Sequence, residues 1–207
     1  MLVSGVAAAF SCKLTLHTGH IREAIEQKRL LHEVAGKPNS APQTCLCGPF
    51  PFGLLAHSTG ISPKSEDPVA VLQRTYEDLA HDPGAPLVTE PAGELDALLV
   101  ADRGFLSTTR AAVTPWREKG ADEMLLPSSS FNRHPEPVTH TGTPLAQFMI
   151  WLGAKCGGSS LGALASMFGA DSAQGYAKYW PIETYPEHIR NAWRQTLLNE
   201  YGNTLIF

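Results

Sequence analysis

Between Gly158 and Trp180 the chain reads GSSLGALASMFGADSAQGYAKYW, and Gly169 in its middle restricts what can form there. Leu161, Leu164 and Phe168 before it are spaced for one buried helix face, and Ala173, Tyr176 and Trp180 after it for another. Gly169 suits a sharp turn because glycine tolerates positive φ. Ala165 is small enough for close helix crossing, and Asp171 or Ser172 offers a short polar cap to the second helix. This is the arrangement of a helix-turn-helix, whose second helix presents its early residues to base edges. On that reading Ser172, Gln174, Gly175, Lys178 and Tyr179 face outward. Glutamine can pair with adenine, and lysine or serine can bond phosphate. The same helix–glycine–helix pattern also builds an ordinary α-helical corner, and Gly175 stands where such motifs usually carry a β-branched core residue.

The rest of the chain is read as helices separated by punctuated loops. HIREAIEQKRLLHEVAG (residues 20–36) places Ile21, Ala24, Ile25, Leu31 and Val34 on one face, with Gly36 and Pro38 ending the helix. Residues 37–64 contain five prolines and read as a linker. Asp67 caps a second helix with Pro68 at its first position, and Val69, Leu72, Tyr76 and Leu79 as its stripe. PAGELDALLVADRGFL suits either a helix or, through ALLV, a buried strand; helix is favoured. Residues 107–142 are polar and proline-punctuated. From Thr143, TPLAQFMIWLG carries a cap, a first-turn Pro144 and a stripe of Leu145, Phe148, Met149 and Leu152. A last helix begins at the capping pair Thr184 and Glu187 and buries Ile189, Trp193, Leu197 and Tyr201. The expected architecture is mostly α-helical. Residues 1–130 form a loosely organised, partly disordered region with a few helices, and residues 131–207 a small helix-turn-helix domain.

Charge narrows the partners. The net charge of -4 gives no global field toward nucleic acid or anionic lipid, so any DNA contact is local. With 18 glycines, 16 prolines and only 17% charged residues, the chain is loop-rich. No apolar run reaches the ~20 residues of a membrane helix. The start, MLVSGVAAAFSC, lacks the basic residues that open a secretory signal. Four scattered cysteines suit a reducing compartment rather than a disulfide scaffold.

An ordered series of motifs adds to this reading. PLAQFMIWLG, GGSS, LGALASMFGADSAQGY, YAKYW and WPIE follow one another between Phe131 and Pro186. The segment resembles the N-terminal region of Harbinger-type DDE transposases of fungi and the nuclease-like proteins derived from them. The resemblance implies a DNA-binding helix-turn-helix in a nucleus, with a cytoplasmic location as the alternative. It also implies a following catalytic domain in which two aspartates and a glutamate hold two metal ions. Only 27 residues follow Trp180, and none is Asp. The expected function is therefore double-stranded DNA binding without catalysis, by Ser172, Gln174, Lys178 and Tyr179. Lys155, Ser159 and Ser160 are expected at phosphates, beside the amino end of the Leu161 helix. No cofactor or metal is expected. The alternatives are an α-helical protein-interaction module using Trp151, Tyr179, Trp180 and Trp193, or a transposon remnant without function.

Other constellations are weak. Cys45, Cys47 and His57 lack the paired-knuckle spacing of a zinc site, even with Cys12, His17 and His20 added. LLVADRGF is similar to the strand carrying the family's second aspartate, but Asp102 precedes the helix-turn-helix and reads as a solvated helix-end residue. No G-x-S-x-G elbow or Gly-Lys-Ser/Thr phosphate loop occurs.

Overall fold

A computed structural model describes residues 6–35, 42–61, 68–84, 86–113, 126–133, 144–156, 177–199 and 204–206. Its centre is a mixed β-sheet in the order β1 (Ala9–Leu16), β2 (Phe52–Thr59), β3 (Ala97–Val100), β4 (Gly104–Val113), β5 (Leu126–Arg133), β6 (Ala177–Tyr179). The first three strands are parallel, and the remaining pairings are antiparallel. A short β7 (Thr204–Ile206) pairs with the far half of β4. The helices are α1 (Thr18–Ala35), α2 (Pro42–Cys47), α3 (Pro68–Ala80), α4 (Pro144–Lys155) and α5 (Glu187–Asn199).

The layers follow from the two-residue alternation of strands. On one face Leu54, Ala56, Leu98, Val100 and Leu106 pack against Ile21, Ala24 and Ile25 of α1 and Leu72, Tyr76 and Ala80 of α3. On the other, Ala97, Leu99 and Phe105 meet Phe148 and Trp151 of α4, with Phe10 and Leu55 alongside. Phe148 stands edge-on to both Phe10 and Phe105, at centroid distances of 5.3 and 5.8 Å, an arrangement aromatic quadrupoles favour. A third cluster joins Cys45 and Leu46 of α2 to Ile189 and Trp193 of α5, with Ile182 and Tyr185 just before it.

The fold is thus α/β, which corrects the expected mostly-α chain ending in a helical bundle. ALLV, expected as helix, is β3. All four residues are buried because helices cover both faces of the sheet, so the strand shows a continuous apolar run instead of alternation. The expected linker contains α2 and β2, since its prolines flank these elements rather than interrupt the strand. β4 and β5 occupy a stretch read as loop. Their interior carries Ser107, Thr108, Arg110 and Ser129, buried polar residues that hide an apolar period. The boundary expected near residue 130 falls inside β5, in the same sheet as β1.

Ala177–Tyr179, expected on the recognition helix, is an edge strand with Lys178 opposite Ser129. Pro181 disfavours helical backbone at Trp180, and aromatic residues favour strands. Ser159, Ser160, Ser172 and Gln174, with the Gly169 turn, lie outside the described residues. Two expected stripes, those of α1 and α4, are close to those observed but rotated. Val34, Leu145 and Met149 are exposed, while Lys28, His32, Gln147 and Trp151 take the inward positions. Among the described residues no helix is long and apolar enough to cross a membrane.

Gly53 shows how tightly β2 is held. A Cβ there would meet the Ala97 carbonyl oxygen at 2.8 Å and the Phe10 ring at 3.2 Å. Gly53→Ala should therefore lower stability by about 1–3 kcal/mol through overpacking, read as a reduced urea midpoint at unchanged slope.

Candidate functional site

The amino ends of β2 and β3 converge on a buried charge cluster. Asp96, one residue before β3, is 4% exposed; Lys28 of α1 and Arg110 of β4 are each 2% exposed. Asp96 Oδ2 accepts hydrogen bonds from Lys28 Nζ and the Phe52 backbone N–H, both at 2.8 Å. Its other oxygen accepts from Arg110 Nη1. Arg110 also donates through Nε to the Pro91 carbonyl and through Nη2 to the Glu94 carbonyl, both at 2.8 Å. Lys28 completes the ring by donating to the Phe50 carbonyl at 3.3 Å. Three strands and α1 are tied through one carboxylate.

Burial alone would raise the Asp96 carboxyl, but Arg110, Lys28 and the Phe52 N–H outweigh it and hold it below the usual carboxylate range. Lys28 moves the other way. Burial lowers its ammonium and Arg110 repels it, against the pull of Asp96. Arg110 stays charged, so the surplus positive charge of the trio falls on Lys28.

A cleft of about 220 Å³ opens beside this cluster, lined by Cys47, Asp96, Arg110, Lys155 and the Gly48–Pro51 backbone. Gly48 has φ 77°, and a Cβ there would lie 3.3 Å from Lys28 Nζ, so only glycine lets the loop cross the lysine without strain. Lys155 reaches the cleft from the exposed end of α4. The Cys47 thiol is raised by burial, which outweighs the neighbouring cations, and it stays protonated at neutral pH.

Two histidines flank the cluster. His32 is 5% exposed; its Nε2 lies 3.3 Å from Glu90 Oε1 without hydrogen-bond alignment, and the pair borders a second cavity of about 400 Å³. His81, just after α3, has Nε2 3.2 Å from the buried Glu94 Oε1, and its Nδ1 lies 2.8 Å from Lys178 Nζ.

Of the residues expected at DNA, Lys155 lines the cleft, and Lys178 is held between His81 and the Trp180 ring, 4.2 Å from the ring centroid. Tyr179 contributes backbone to β6. Trp151, Trp180 and Trp193, expected as a partner surface, are core residues. Asp102 lies in the β3–β4 turn beside Arg103. Among the described residues no group of three or more His, Cys, Asp or Glu side chains is placed to hold a metal. Sequence reasoning missed Lys28, Asp96 and Arg110. The available signal was spacing: Lys28 and His32 continue the Ile21, Ile25 face of α1 at helical intervals.

The fold defines an α/β protein with a polar cleft at the amino ends of its parallel strands. Comparisons with family models, curated proteins and solved structures find no match. The resemblance to Harbinger-type transposases rests on the residues quoted for it.

Asp96→Ala would leave two buried cations facing no carboxylate and should cost about 3–5 kcal/mol in chemical denaturation. The folded carboxyl is held below its unfolded value, so its stabilisation is complete above roughly pH 4 and is lost as pH falls through the folded value. An acid titration of stability should show this loss, and Asp96→Asn should remove that pH-dependent component.

Proposed function

We propose that the cleft binds a small anionic ligand, with a carboxylate or phosphate group seated between Arg110 and Lys155. The observation that carries this is the imbalance of charge. Two cations line the cleft and Lys28 stands directly behind it, against the single Asp96 carboxylate. Arg110 uses three of a guanidinium's five N–H donors in the bonds described above, which among the described residues leaves donors for a planar anion. An entering anion offsets the surplus charge on Lys28, so ligand binding and stability are coupled. Open parallel sheets usually receive ligands at the carboxyl ends of their strands; the charge here lies at the opposite end, and the reading rests on this cleft alone.

Double-stranded DNA is the second reading. It is favoured by Lys155, an expected phosphate contact that borders the cationic cleft, and a nuclear location belongs with it. Catalysis forms no part of either reading.

Calorimetry of the whole chain against inorganic phosphate and a small carboxylate tests the first. Saturable binding is expected, weakened about tenfold or more in Lys155→Glu, whose exposed site leaves stability unchanged. No heat from either anion at millimolar concentration overturns it. Retardation of duplex DNA by the whole chain at low salt, lost steeply as salt rises, would move the function to nucleic acid.

A further inference from the structure

We propose that Lys178, His81 and Glu94 form a nucleophile–base–carboxylate relay that lets the Lys178 amine capture an aldehyde or ketone as an imine. The site is separate from the anion proposal and does not depend on it.

The geometry is that of an activated nucleophile whose base is oriented by a third group. Lys178 Nζ stands 2.8 Å from His81 Nδ1, and His81 Nε2 stands 3.2 Å from Glu94 Oε1. With the ammonium donating to Nδ1, the ring proton of His81 is assigned to Nε2, which lies 3.2 Å from the Glu94 carboxylate without hydrogen-bond alignment. Glu94 is 2% exposed, and its Oε1 is the carboxylate oxygen that stands beside the imidazole. Trp180 lies under Nζ at 4.2 Å and is itself fixed by donating from Nε1 to Ser129 Oγ at 2.8 Å. The lysine is half-buried.

The neighbours act in opposite senses. The Trp180 face and Glu94 favour the ammonium. Partial burial disfavours it and lowers the amine below the ordinary lysine value. Glu77 of α3 adds a second carboxylate near His81.

The chemistry balances without an oxidant or reductant. His81 Nδ1 takes a proton from Nζ, and the freed lone pair attacks the carbonyl carbon. The C=O π pair moves to oxygen, which receives that proton from His81. A second Nζ proton passes to His81 and then to the hydroxyl, which leaves as water while C=N forms. One ammonium and one carbonyl compound give one protonated imine and one water. Glu94 is a positioning residue that steadies the imidazolium in between.

The test is reductive alkylation of the whole chain with acetaldehyde and cyanoborohydride, followed by peptide mass spectrometry across pH. Lys178 should be alkylated several-fold faster than exposed Lys155 near pH 7, because burial lowers its amine below the ordinary lysine value. Its rate–pH midpoint should lie below the ordinary lysine value. His81→Gln keeps an acceptor for Nζ but cannot carry the proton, and should return Lys178 to the Lys155 rate with an unchanged circular dichroism spectrum. Lys178 reacting no faster than Lys155, or at the wild-type rate in His81→Gln, overturns the proposal. If His81→Gln fails to fold, the wild-type rates and pH profile decide alone.

Discussion

The carboxylate of Asp96 is the constraint on which the rest of the structure depends. It sits where β3 begins, accepts the first N–H of β2, and binds a lysine from α1 and an arginine from β4. Its backbone belongs to the same knot. The Asp96 N–H donates to the Phe52 carbonyl, and the Asp96 carbonyl accepts from the Thr108 N–H. The register of three strands and the seating of one helix are thus set at a single point. A buried ion pair is weak evidence for net stability, because desolvation offsets much of the Coulomb gain. Its value here is specificity: an apolar residue at position 96 could not choose between neighbouring registers, whereas a carboxylate with three assigned donors can.

That knot also divides the molecule electrostatically. The two faces of the sheet are dry, filled by the α1–α3 and α4 contacts. The buried charges gather at the amino ends of β2 and β3. Arg110, Ser129 and Lys178 lie opposite one another on β4, β5 and β6 and so project to the same side. Glu94 lies between the two cations, giving its backbone carbonyl to Arg110 and presenting its side chain to His81. The cleft beside Arg110 and the Lys178–His81–Glu94 group are thus neighbours, linked through Glu94.

Parts of this were legible beforehand. α1, α3, α4 and α5 were read near their true positions because each carries an apolar period of about 3.6 residues and a clear start or stop. Their faces were read less well. Lys28 and His32 occupy inward positions of α1, yet a charged or polar residue carries no sign that a partner awaits it across the fold. Lys28 meets Asp96 at a separation of 68 residues and Arg110 meets it at 14. No local pattern encodes such pairings. Lys155, expected at phosphate, and Arg110, from the polar stretch of residues 107–142, are neighbours in the cleft.

What the sequence by itself determined was local: roughly where α1, α3, α4 and α5 start and stop. The sheet was decided only by tertiary structure. A strand buried on both faces shows a plain apolar run, as in ALLV, and a strand whose inward positions hold Ser, Thr and Arg shows no apolar period. In both cases the identity of the element resides in its neighbours. Strand pairing is a contact between distant segments, so a residue's role in it becomes definite only when the partner strand is in place.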